Sequence, residues 1–260
     1  MPIVTLITDL GTSDFYLSMV KAKLLSEKTQ FEIVDISHDV AQFDIAQAAF
    51  VLKNVMEHFP AGTIHLMGVA TGSTDHTRHL AIEYNGQYII TADNGFFSLI
   101  AEKQPDLIVE LRMNLDTDFK NFPLRDLYTK AAAHILRGGT LEVIGKRTDD
   151  YLNRTMFQPT IGDGYISGVV AYVYNYGNAI TNIHQSLIKQ VGKGRDYLIG
   201  FTQKGYELHS IEERYEDTSE GDRVAIINSA GYLEIAIMHG NASQLLGLER
   251  GETVIISFDG

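Results

Sequence analysis

Through roughly the first 150 residues, short apolar runs alternate with stretches whose apolar positions recur every three or four residues, the signature of strands and amphipathic helices taking turns. Ile3 to Thr8 is a continuous apolar run, as in a strand covered on both faces. Tyr16, Met19, Val20 and Leu24 then fall on one helical stripe within Phe15 to Leu25, with Ser13 or Asp14 placed to cap it. A second strand is predicted over Phe31 to Ile36, with Phe43, Ala46 and Phe50 marking the helix after it, and GTIHLMGVA supplies a third strand. LAIEY and QYIIT flank Asn85-Gly86, a strong hairpin signal. LIVEL precedes a helix near Arg125 to Arg137 that ends at Gly138-Gly139.

After Thr148 to Pro159, a polar stretch read as a linker, the grain changes. GYISGVVAYVY, NAITNI, DYLIGF, RVAIINSAGYLEIAIM and ETVIISF are short strand patterns separated by turn residues, with little helical periodicity. The pattern predicts an α/β N-terminal domain with a largely parallel sheet over 1–150 and a smaller antiparallel β-barrel domain over 160–260.

The chain has 260 residues, of which 45% are hydrophobic, ample for buried cores. A net charge of -12 with no basic window argues against nucleic acid and anionic membranes as partners. The absence of cysteine removes disulfides and thiolate nucleophiles. No apolar run approaches the roughly 18 residues of a membrane span, and the segment before Asp9 is too short for a secretory signal, so a cytoplasmic protein is expected.

Chemistry gathers at a few places. ITDLGTSD sets Asp9 at the carboxyl end of the first strand, where ligands bind in open α/β sheets and where a carboxylate can accept from a ribose diol; capping the turn is its plainer role. ADNG places Asn94 in such a site, or else Asp93 or Asn94 as a helix-start cap. GVATGSTDHTRHLAIE, Gly68 to Glu83, opens an apolar strand into a polar loop. Asp75, His76 and His79 within it could suggest a metal, but three side chains on one loop are more often solvated, and no metal is expected.

Taken together, TDLGTSDFY, DISHDV followed by AQAAF, FPAGTIH, ADNG, PLRDLY before AAAHI, YGNAITNI, and INSAGYLEIA followed by GNA resemble the S-adenosylmethionine hydroxide adenosyltransferases, relatives of the fluorinase and chlorinase. The resemblance implies a homotrimer whose sites lie between one subunit's N-terminal domain and its neighbour's C-terminal domain, with a small adenosyl ligand as partner and no cofactor beyond S-adenosylmethionine itself. It implies that Asp9 holds the ribose, that Asp14, Phe15 and Tyr16 form the adenosyl pocket, and that Tyr215 stacks on adenine. Asn178, Ser229, Asn241 and Ala242 match positions contacting the adenine or the amino-acid end.

The resemblance also implies an Asp, Arg and His set around the attacking water. Aligned without gaps, those positions are Ala70, Thr77 and Pro123 here, with a second Arg at Arg78; a further family Asp is Tyr174. On the halide-using pattern Ser73 meets a threonine position and Leu124 a serine position. Three readings stay open: a rebuilt centre in which Asp75 or His76 is the base and Ser73 positions the nucleophile, a non-catalytic adenosyl-binding sensor or sequesterer, and a two-residue register shift that brings Thr71 to the halide threonine.

Overall fold

The structure, a computed structural model, describes residues 1–27, 29–72, 74, 76–114, 117–118, 120–201 and 205–259. The chain divides into two units, 1–156 and 157–260. The first runs β1 (Ile3–Thr8), α1 (Tyr16–Leu25), β2 (Glu32–Ser37), α2 (Ile45–Met56), β3 (Ile64–Gly68), β4 (His79–Tyr84), β5 (Gln87–Ala92), α3 (Phe96–Ile100) and β6 (Leu107–Leu111). A π-helical turn over Leu124–Tyr128 leads into α4 (Thr129–Leu136), followed by α5 (Leu141–Ile144) and β7 (Gly145–Arg147).

These strands form one sheet in the order β2-β1-β3-β5-β4-β6-β7. The ladders joining β2, β1, β3 and β5 are parallel and those joining β5, β4, β6 and β7 antiparallel, so the sheet is mixed, with its parallel part around β1. The β4–β5 hairpin turns at Asn85 and Gly86, both at positive φ, the geometry that makes this dipeptide a hairpin former. Side chains alternating along β1 and β3 feed two cores. Val4, Leu6, Ile64 and Leu66 pack with Val20 and Leu24 of α1 and Ala131 of α4, while Ile7 and Met67 pack with Ala48 and Leu52 of α2.

Two expectations change here. Phe43 does not belong to the helix after β2: Asp44 caps that helix by accepting from the Gln47 amide at 3.0 Å, and Phe43 sits outside it at φ 63°, 76% exposed. Periodicity alone could not separate a helical phenylalanine from one held just before the cap. The stretch read as a linker is, in its first half, fixed to this unit. Arg78 Nε donates to Asp93 Oδ2 at 2.9 Å and its Nη1 to Asp150 Oδ2 at 3.1 Å, while Asp93 Oδ1 accepts from the Leu152 amide at 2.7 Å.

His65 on β3 is fully buried between Thr5, whose Oγ1 lies 2.7 Å from Nδ1, and Gln87, whose Oε1 lies 3.0 Å from Nε2. Burial lowers its pKa to about 4, with the Gln87 bond opposing the shift only in part. The unfolded chain takes up this proton near pH 6.5 and the folded one does not until about pH 4, so stability falls as pH falls through that window. The expected slope is about 1.4 kcal/mol per pH unit from this group. Urea unfolding at pH 7 and pH 5 should show it, and His65→Gln should lessen the slope by His65's share, leaving the share of His79, another histidine whose pKa burial lowers to about 4; an equal slope in the variant would remove His65 as a source.

The second unit carries β8 (Thr160–Gly162), β9 (Tyr165–Val173), β10 (Ala179–His184), α6 (Gln185–Gly192), β11 (Tyr197–Phe201), a 3-10 turn over Tyr215–Asp217, β12 (Arg223–Ile227), β13 (Tyr232–Ile237), α7 (Ala242–Leu246) and β14 (Thr253–Phe258). Its sheet is antiparallel in the order β11-β14-β9-β10-β13-β12, with β8 paired to β9. Among the described residues no ladder joins β11 to β12. Isolated bridges at Ile199–Leu208 and Glu212–Ile226 carry the chain between these edges, so the sheet is curled rather than a fully laddered barrel. Helix α6, absent from the sequence expectation, buries part of Leu187, Ile188 and Val191, a stripe short enough to hide among strands. Among the described residues no helix is long and apolar enough to cross a membrane.

Candidate functional site

The chain leaves β1 toward β2 on one side and returns to β3 on the other, so the direction of winding reverses between β1 and β3. A crevice forms outside the carboxyl ends of strands at such a point. Here it is a cleft of about 720 Å³ lined by Asp9 and Leu10 after β1, Phe15, Tyr16 and Met19 around the start of α1, Phe43, the Gly68–Gly72 turn after β3, and the 121–125 segment. Gly68 is needed at its floor: a Cβ there would stand 2.4 Å from Leu124 Cδ2.

Backbone strain collects at this rim. Phe43 and Ala70 line the cleft and both hold left-handed φ, 63° and 48°. Each is held by a side chain. Asp9 Oδ2 accepts from the Phe43 amide at 2.9 Å, and Asn94 Nδ2 donates to the Ala70 carbonyl at 3.1 Å and the Val69 carbonyl at 3.3 Å. Asn94 Oδ1 also accepts from the Phe96 amide at 3.1 Å, so its amide is spent bracing the turn beneath the cleft.

Beneath Asp9, Thr8 Oγ1 meets His38 Nδ1 at 2.8 Å and accepts from the Leu10 amide at 3.3 Å, while the Gly11 amide donates to the His38 carbonyl. His38 Nε2 lies 3.0 Å from Asp35 Oδ1 without a hydrogen bond between them. Burial pushes the Asp35 carboxyl up, yet Lys21 at 2.6 Å and His38 outweigh it and hold it below the usual range. The loop carrying Asp9 is thereby anchored from behind while the carboxylate lines the cleft.

Phe15 and Tyr16 stack at 4.4 Å, with 62% and 45% of their surface exposed, and Tyr16 meets Phe122 edge-on at 5.6 Å. Large aromatics left open beside a cleft mark a binding surface more than a packing one. Asp14 stands outside the lining: its Oδ1 accepts from the Tyr16 amide at 3.0 Å and so sets the start of α1. Arg125 caps the far wall, its guanidinium over Phe122 and bound through Nε and Nη2 to Asp126 at 2.6 Å each.

In the polar loop, Ser73 and Asp75 lie outside the described residues. His76 is exposed on a turn closed by the Thr77 amide donating to the Thr74 carbonyl at 3.0 Å, and it is not among the residues lining this cleft. Among the described residues no three His, Asp or Glu side chains come close enough to hold a metal ion.

In the second unit, two of the C-terminal candidates, Asn178 and Tyr215, meet on a buried carboxylate that the sequence pattern did not single out. Glu234 on β13 is 2% exposed. Its Oε1 accepts from the Tyr215 hydroxyl at 2.5 Å and from Asn178 Nδ2 at 2.8 Å, and its Oε2 from Asn228 Nδ2 at 3.2 Å. Burial, then the bond to Glu234, pushes the Tyr215 hydroxyl far up, keeping it protonated. Ser229 follows Asn228 on the exposed β12–β13 turn. Asn241 caps α7 by accepting from the Gln244 amide at 2.8 Å, next to the fully buried Ala242. Gly177, at φ 84°, packs where a Cβ would fall 2.2 Å from Asn241 Cγ, which is why the YGNA turn and the GNA turn meet. A charged residue at a strand position surrounded by Leu233, Ile235 and Ala236 was the signal that could have exposed Glu234.

Residues 4–145 match the model of the SAM hydroxide adenosyltransferase N-terminal domain and residues 168–255 that of its C-terminal domain. The chain is 26% identical to an (R)-S-adenosyl-L-methionine hydrolase of Methanocaldococcus jannaschii over 273 residues, covering 96% of this chain and 93% of that one. It is 23% identical to a fluorinase of an Actinoplanes species over 290 residues, covering 98% and 97%. A crystal structure of an uncharacterized conserved protein from Thermotoga maritima superposes with a TM-score of 0.89 at 29% identity, covering 98% of this chain and 99% of the other.

Proposed function

The chain belongs to the S-adenosylmethionine hydroxide adenosyltransferase family, and from that premise we propose that it binds S-adenosylmethionine in the cleft between β1 and β3 and displaces methionine from the ribose C5′ carbon. The observation that carries this reading is Asp9, a carboxylate at the reversal point of the sheet with exposed Phe15 and Tyr16 lining the same cleft. Its Oδ2 already accepts one backbone proton, and a carboxylate has acceptor sites left for two ribose hydroxyls. The names of the relatives, hydrolase and fluorinase, both fit displacement at one adenosyl carbon.

The chemistry asks little of the protein on the leaving side. The departing thioether is neutral and needs no acid, and the sulfur's positive charge disperses as the bond breaks. The incoming side is harder, since water must be oriented and relieved of a proton. In this reading Asp75 or His76 takes the base role and Ser73 positions the nucleophile in place of the Asp, Arg and His set, the product is adenosine, and no cofactor takes part. The C-terminal group of Asn178, Tyr215, Ser229, Asn241 and Ala242 completes the site in a homotrimer.

Purified protein is to be incubated with S-adenosylmethionine, with and without fluoride or chloride, and adenosine, halogenated adenosine and methionine followed by chromatography. Methionine release above the uncatalysed background, lost in Asp75→Ala/His76→Ala, is expected. Tight binding with no release would make the protein a sequesterer instead. Sedimentation that shows only monomer would remove the trimer.

A further inference from the structure

A second cleft, of about 410 Å³, opens at the same carboxyl edge of the first sheet, over the end of β6 and the start of β4. It shares Phe122 with the first cleft, and the two linings interleave along the same segments. Gly72 faces the first and Thr74 and Thr77 the second, while Leu124 and Arg125 face the first and Pro123 and Asp126 the second. Its volume falls among those of small-molecule sites, about 300–1,000 Å³.

The lining has an apolar wall, with Met113 and Leu127 beside Phe122, and a polar rim rich in donors. Among the described residues Arg112 reaches no carboxylate closer than Glu110 at 3.7 Å, and no carboxylate pairs with Lys120. Asp126 is already held through both oxygens by Arg125. His79 lies deeper. Its Nδ1 is 2.9 Å from the hydroxyl of the fully buried Tyr128, whose proton has no other acceptor among the described residues, so Tyr128 donates and His79 carries its own proton on Nε2. Burial lowers the His79 pKa to about 4, so this ring is a neutral donor near pH 7 and not a base.

A cleft of cations and neutral donors suits an anion with an apolar body, and it suits poorly a nucleophile that must first lose a proton. We propose that this cleft is an acceptor subsite for a small organic carboxylate, to which the adenosyl group is delivered as an alternative to water; the proposal rests on the adenosyl reading of the neighbouring cleft. A carboxylate oxygen forms the bond to C5′, the C5′–sulfur bond breaks, and its electron pair stays on sulfur. The anion and the sulfonium become a neutral 5′-ester of adenosine and methionine, with no proton to move.

Phenylacetate is the probe. Titration into the full-length protein without any adenosyl compound should show saturable binding, weakened at least about tenfold in Arg112→Gln/Lys120→Gln, two exposed changes that leave the fold intact. No saturable binding would overturn the subsite. With S-adenosylmethionine added in ¹⁸O-water, mass spectrometry should find the unlabelled adenosyl phenylacetate ester. Labelled adenosine as the sole product would overturn the acceptor role even if phenylacetate binds. Adenosine binding is measured separately, so a protein that takes phenylacetate but no adenosine overturns the adenosyl reading, and with it the transfer, while the anion site stands.

Discussion

Asp9→Ala will bind adenosine about ten- to a hundredfold more weakly than the parent protein, the loss of roughly 1.5–3 kcal/mol that accompanies removal of a charged hydrogen-bond partner. Two effects could produce such a loss, and the geometry separates them. Asp9 holds the left-handed Phe43 backbone through its amide as well as facing the cleft. Asp9→Asn can keep the bond to Phe43 with its amide oxygen but cannot accept from both ribose hydroxyls as a carboxylate does. The asparagine variant should therefore unfold within about 0.5 kcal/mol of the parent, as surface changes usually do, and still lose most of the affinity. Calorimetric titration with adenosine and with 2′-deoxyadenosine makes the comparison: the parent should lose affinity when the 2′-hydroxyl is missing, and the asparagine variant should distinguish the two nucleosides much less. Equal affinity of parent and alanine variant would take Asp9 out of the site.

What made Asp9 legible in the sequence was the coincidence of a buried strand ending, a carboxylate and a turn glycine, each of which has a local cause. Gly11 indeed sits at φ 70°, and β1 ends at Thr8. The hairpin at Asn85-Gly86 was legible for the same reason. Phe43 was not. Its place at the rim depends on an amide bonded to a residue 34 positions away, and no window of sequence contains both partners. Asn94 shows the converse: the local signal pointed to a helix cap, yet Gly95 is the N-cap of α3 and carries no side-chain cap bond, while Asn94 accepts from the Phe96 amide and reaches Val69 and Ala70 through strand order. The second cleft was illegible too, because Arg112, Lys120 and His79 belong to segments that only the β4–β6 pairing brings together. Likewise the curl of the second sheet rests on the isolated bridges at Leu208 and Glu212, single pairings with no periodic pattern behind them.

Glu234 was hidden by its context and should matter most to stability. Glu234→Ala strips the acceptor from the Tyr215 hydroxyl, Asn178 and Asn228 at once, and leaves a void between β10, β12 and β13. A buried donor left unpaired costs about 1–3 kcal/mol. Some of these three groups can turn to solvent, and the void adds its own cost, so the expected loss is about 3–5 kcal/mol. Glu234→Gln preserves volume and can still accept from Tyr215 and Asn178 through its oxygen, but its amine then faces the Asn228 amine; the expected cost is about 1–2 kcal/mol. Urea unfolding followed by circular dichroism measures both, and an alanine variant within 1 kcal/mol of the parent would mean the network holds nothing. The glutamine variant also tests a finer point. A tyrosine that stacks on a base contributes about 1–3 kcal/mol to binding, and only while its ring is held in place. Glu234→Gln keeps the Tyr215 bond and should keep adenosine affinity, whereas Glu234→Leu, which cannot accept it, should lose affinity in step with Tyr215→Leu, and the Tyr215→Leu/Glu234→Leu pair should lose no more than the Tyr215 change alone.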